Sequence, residues 1–143
     1  MSELAASGFP RWLKLVMTVV LTVVVGPLIG TIVVLLANTV GLVPDAIAMY
    51  MQGQPMMSLL FSGYLSGGVQ AFICGVVYAL SGWSSGRLPV WVPVVTALIL
   101  TLLFALALFG VSGGGIIFSV IIHIVPALVT WWLVKAYWQK AGT

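Results

Sequence analysis

Residues 61–82 read FSGYLSGGVQAFICGVVYALSG, and their spacing decides the fold. Small residues return at every fourth position: Gly63, Gly67, Ala71, Gly75 and Ala79. An α-helix stacks residues four apart along one ridge, so these five leave a strip nearly bare of side chain. A second backbone approaches such a strip closely, which is how helices pack in lipid. The next ridge round is polar or polarisable: Ser62, Ser66, Gln70, Cys74 and Tyr78. The opposite face carries Leu65, Val69, Phe72, Ile73, Val76 and Leu80. In a hydrocarbon solvent this division predicts the lean face against protein and the bulky face against lipid.

The rest of the chain is of the same kind. Of 143 residues, 62 % are hydrophobic and 5 % charged, where a soluble domain carries about 25 % charged residues. Mean hydropathy is +1.27. Four apolar stretches, near 13–37, 60–82, 90–110 and 116–134, come close to or exceed the length of about twenty residues that a bilayer crossing needs. The expected fold is an all-α membrane protein: one domain over residues 1–143, a bundle of four transmembrane helices. The first stretch is too long for the apolar core of a signal peptide and lacks an Ala-x-Ala site after it, so it reads as a retained span. The residues before Arg11 are expected to be mobile.

Charge sets the expected orientation. Arg11 and Lys14 precede the first span, Arg87 lies in the second connection, and Lys135 and Lys140 close the chain. The first and third connections contain no Lys or Arg. Basic residues stay on the cytoplasmic side, so both termini are expected there. All six tryptophans, Trp12, Trp83, Trp91, Trp131, Trp132 and Trp138, fall towards that same side. The net charge of +3 is thereby explained by the membrane, and no nucleic-acid partner is expected.

Within the first span, Thr18, Thr22, Gly26 and Gly30 form a second lean ridge, and Pro27 predicts a kink. The kink frees the Val23 carbonyl, which Thr22 or a neighbouring helix is expected to satisfy. In the first outer loop, Pro44, Asp45 and Gly53 bracket a short helix expected to lie in the interface. Met49, Met51, Met56 and Met57 cluster there and are weak candidates for a soft metal such as Cu(I), although methionine equally fills an interfacial helix. Residues 111–115 read as a tight turn between the last two spans.

Chemistry is sparse. Glu3 and Asp45 are the sole acidic residues and both lie outside the spans. With one cysteine, Cys74, and one histidine, His123, no cluster has metal-ligand spacing and no catalytic triad is available. No enzyme activity and no cofactor are expected. At about 1.5 Å of rise per residue, Gln70 lies near the middle of its span and His123 a little off the centre of the fourth. Ser66, Ser119, Thr101 and Thr31 fall at comparable depths. These residues form an expected polar layer, which serves either as interhelical glue or as the lining of a solute path.

Gly26-Pro27-Leu28-Ile29-Gly30, Gly63-Tyr64-Leu65-Ser66-Gly67 and Pro126-Ala127-Leu128 together resemble a family of small four-span bacterial inner-membrane proteins of unknown function. The resemblance implies a multi-pass protein of the bacterial inner membrane and carries no activity or site residue with it. Beside a copper-related role that rests on the outer methionines alone, two functions compete on the sequence. The first is a structural, accessory or self-associating subunit, whose partners are the bilayer and other membrane subunits or itself, held through the helix-packing residues Gly26, Gly30, Gly63, Gly67, Ala71, Gly75 and Ala79. The alternative is a small-solute or ion channel or carrier built around Gln70 and His123.

Overall fold

A computed structural model describes the backbone of residues 10–108 and 113–139. It contains five helices: α1 (Arg11–Thr39), α2 (Asp45–Met51), α3 (Met56–Ser85), α4 (Trp91–Leu108) and α5 (Gly113–Gln139). No strand occurs among the described residues. Helices α1, α3 and α5 are each long and apolar enough to cross a membrane, and α4 is a shorter apolar helix. The expected mobile segment before Pro10, and Lys140, lie outside the described residues.

Each of the first three helices starts from a proline at the capping position: Pro10, Pro44 and Pro55. None has a side-chain cap. The fixed φ of proline suits the extended conformation needed there, and proline lacks the N–H that a helix start leaves unpaired. Gly86, at φ +66°, stops α3 and donates its N–H to the Gly82 carbonyl. A left-handed residue at this place turns the chain back at little steric cost only when it has no Cβ. Gly113 to Gly115, expected in a turn, instead form the first turn of α5. Helix propensity of glycine is poor, but in apolar surroundings a helix is the conformation that pairs the backbone groups.

Helix α1 is the centre of the bundle. It packs along α3 and along α5, while α4 packs against α5 and, less extensively, against α3. Helices α3 and α5 scarcely touch directly. The α1–α3 contact runs antiparallel in steps of four residues. A Cβ added to Gly63 would overlap the Thr31 hydroxyl, one on Gly67 would meet Pro27 at 3.6 Å, and one on Gly75 would lie 3.0 Å from the Val19 Cα. The lean ridge of α3 thus faces protein, as its spacing predicts. Ala71 and Ala79 on the same ridge are buried, whereas Leu65, Val69 and Phe72 are exposed.

The two ends of the bundle differ. Arg11, Lys14, Arg87 and Lys135 all sit at one end, where α1 and α4 begin and α3 and α5 finish. That basic end is closed by a cluster of Cys74, Tyr78, Leu88, Val92, Val134 and Trp138, drawn from α3, α4, α5 and the α3–α4 connection. The Trp138 indole lies against Gly82 and donates to the Thr18 hydroxyl at 3.0 Å. Trp131 donates to the Leu88 carbonyl at 2.8 Å, and the Lys135 ammonium sits 4.3 Å from the Trp131 ring centre. At the other end a smaller cluster, Ala37, Val43 and Phe118, joins α1, the α1–α2 connection and α5. There the first half of α3 is held by α1, and by the short helix α2 through a 3.0 Å bond between the Tyr50 and Ser62 hydroxyls. Its side-chain bond to α5 is the contact of Gln70 with His123, at the end of this half.

Candidate functional site: a groove between α3 and α5

Because α3 and α5 both lean on α1 and meet each other through a few side chains, a cavity of about 240 Å³ opens between them. Its floor is the middle of α1, where Gly26 and Gly30 carry no side chain to fill it. Gly26 lies under Ala71 and Gly30 beside Pro126, so the lean ridge of α1 serves α3 and α5 in turn. One wall is the polar flank of α3, with Ser62, Ser66, Gln70 and Cys74. The other is α5, with Phe118, Ile122, His123 and Pro126. Tyr50 and Met51 of α2 cover the end away from the basic cluster. Ser66 is exposed and Gln70 half-buried, so the α3 wall looks onto open space.

The sequence-predicted polar pair is in contact. His123 Nε2 lies 2.9 Å from the end of the Gln70 side-chain amide, and Nδ1 lies 2.6 Å from the carbonyl oxygen of Ser119. A carbonyl only accepts, so Nδ1 carries a proton. With that single ring proton, Nε2 offers a lone pair, and the Gln70 amide donates to it from its NH₂ group with the oxygen turned away. Which amide atom is oxygen follows from such a network. The backbone of α5 thus fixes the ring, and the ring fixes the amide on α3.

The remaining members of the expected layer divide into two. Thr101 of α4 donates to the same Ser119 carbonyl at 3.4 Å, so Thr101 and Ser119 join α4 to α5 behind His123. The Ser119 hydroxyl is fully buried with no hydrogen-bond partner among the described residues. Ser66 and Thr31 line the cavity instead, each donating within its own helix: Ser66 to the Ser62 carbonyl at 2.8 Å, Thr31 to the Pro27 carbonyl at 2.9 Å. Of the methionines, Met51 lines the cavity, while Met49, Met56 and Met57 are exposed. Among the described residues, no three His, Cys, Asp or Glu side chains come together as a metal site.

Three features escaped the sequence reading. Tyr64 of α3 donates at 2.7 Å to the carbonyl of Val24, the residue after Val23, whose carbonyl is the one expected to need a donor, and Thr22 donates instead to the Thr18 carbonyl at 2.8 Å. Nothing in the spacing singled out Tyr64. Tyr78 is wholly buried and reaches the Ala127 carbonyl at 3.4 Å. The Trp138–Thr18 bond closes the basic end. All three join residues remote in sequence, and no local pattern announces them.

No family model, curated protein or solved structure gives a significant match to the chain, so its function rests on its own geometry.

Proposed function

We infer that the chain is a four-span protein of the bacterial inner membrane, with both termini in the cytoplasm, that binds a small uncharged molecule in the groove between α3 and α5. The observation that carries this reading is the groove itself: largely apolar, about 240 Å³, and provided with one fixed polar pair, Gln70 and His123. A binding site for a small molecule has this make-up, an apolar lining with a few polar groups that set orientation. Among the described residues no charged side chain lines it, so an ion finds no counter-charge from them. The cluster around Tyr78 and Trp138 stops the groove short of the basic end. A site open on one side and sealed on the other fits a binding protein or a carrier better than a continuous channel.

The accessory-subunit reading draws less support, because the lean ridges that motivated it are filled within the chain by α1, α3 and α5. Mild extraction from the native membrane, followed by mass spectrometry of what stays attached, separates the two. A small molecule in near-stoichiometric amount is expected. It should be lost from Ser66→Trp, which plugs an exposed position on the groove wall, and kept by Leu98→Trp on the exposed face of α4. A stoichiometric protein companion with no small molecule would support the accessory role instead.

A further inference from the structure

The hydrogen-bonding atoms on the open side of the groove are acceptors. Ser66, which is exposed, directs its hydroxyl proton to the Ser62 carbonyl of its own helix at 2.8 Å, whereas Thr31 and Thr130 are buried. The Ser66 oxygen keeps lone pairs for another partner. His123 gives its Nδ1 proton to Ser119. With the Gln70 NH₂ group turned towards Nε2, the amide oxygen of Gln70 points to the groove, beside Ser66 one turn away. A charged ligand is disfavoured, since no charged side chain among the described residues lines the cavity and charge at this depth is costly. The walls beyond this patch are apolar: Leu59, Ile122, Pro126 and Leu100.

We propose that the groove recognises a neutral, hydroxyl-bearing lipid, whose O–H donates to the Gln70 amide oxygen and the Ser66 hydroxyl while its chain lies along the apolar wall of α5. This rests on the small-molecule reading above and narrows it to one class: an uncharged amphiphile with a donor head. An ether or ester of the same length, which has no O–H, leaves those acceptors facing hydrocarbon. The exposed position of Ser66 gives the head a way in from the side, between α3 and α5.

The test uses the full chain in lipid nanodiscs and three twelve-carbon probes bearing the same photoreactive diazirine: a primary alcohol, its methyl ether and the corresponding carboxylate. Saturable labelling of peptides from α3 and α5, competed by unlabelled 1-dodecanol, is the readout. The alcohol is expected to label saturably, and the ether about five- to tenfold less tightly, the worth of one buried hydrogen bond. Gln70→Leu should bring the alcohol down to the level of the ether, Ser66→Ala should weaken it about threefold, and Leu98→Ala should leave it unchanged. Gln70→Leu is scored only with a monodisperse size-exclusion profile, and Ser66→Ala, at an exposed position, provides the same comparison independently. Equal saturable labelling by alcohol and ether, unaffected by either substitution, would overturn recognition of the hydroxyl while leaving a groove that binds small molecules. Preference for the carboxylate would overturn it in favour of an anionic ligand. Absence of saturable labelling by all three probes, together with no co-purifying small molecule, would overturn both readings.

Discussion

Gly75 and Leu65 are ten residues apart on α3 and show what a residue is worth in this protein. A Cβ on Gly75 would come 3.0 Å from the Val19 Cα, a backbone atom that has no rotamer to change, and 3.2 Å from the Thr22 Cβ. Gly75→Leu is therefore expected to push α1 and α3 apart, at about 1–3 kcal/mol or more, seen as a lowered melting temperature in detergent. Leu65 is 65 % exposed, and Leu65→Ala is expected to stay within about 0.5 kcal/mol of the parent. Similar melting of the two variants would contradict the assigned faces. Gly82 makes the same point at the basic end, where even the single carbon of Gly82→Ala would press on the Trp138 ring. That variant is expected to lose about 1–3 kcal/mol and to shift tryptophan emission as the indole is displaced; unchanged emission and melting would show that the ring is not seated there. At this scale the sequence was legible wherever a period exposed it. The four-residue recurrence from Gly63 to Ala79 named the packing face, and depth counting named Gln70 and His123 as a layer. The aromatic partners were not legible, because Trp138 against Gly82 and Tyr64 at Val24 depend on which helices become neighbours.

Between elements, the decisive fact is that α3 has two adjacent ridges with different fates. The small ridge lies against α1, and the polar ridge, from Ser62 to Cys74, borders the groove. The sequence showed both ridges but left open which helix would cover each. Covering α3 with α1 turns the polar ridge towards α5, and the gap follows because α1 holds both helices apart. Proline placement contributes to the site as well. Pro27 and Pro126 face the groove from α1 and α5, and the Val24 carbonyl near the first is satisfied by Tyr64. Tyr64→Phe leaves that carbonyl without its side-chain donor and is expected to cost about 0.5–1.5 kcal/mol. Thermal melting of Tyr64→Phe beside the equally conservative Tyr50→Phe checks this. The Tyr50 hydroxyl meets only the Ser62 hydroxyl at an exposed site, so its loss is expected to matter less. The reverse order would mean that the α1–α3 junction does not rely on Tyr64.

For the whole molecule, the clearest asymmetry is one sealed, basic end and one end covered by a seven-residue helix. Arg11, Lys14, Arg87 and Lys135 share the sealed end, and positive residues favour the cytoplasm. A reporter fused to the C-terminus is expected to be active only in its cytoplasmic form, and one inserted at Gly53 in the α2–α3 connection only in its periplasmic form. Both reporters on one side would remove a span from the proposed topology. The bundle was legible in composition and span length alone. The cavity was not, since no single stretch encodes it: it is the space left where two helices share a third.

The direct measurement of the account is thiol accessibility along α3, with Cys74 replaced by Ser and single cysteines at 66, 71 and 79 labelled by a small membrane-permeant maleimide. Ser66→Cys is expected to react readily, and to be slowed by a ligand that fills the groove. Ala71→Cys and Ala79→Cys, facing α1 and the core, are expected to stay protected until the protein unfolds. Fast reaction at 71 and 79 with protection at 66 would place the seam outside and the groove nowhere, and the account would be wrong.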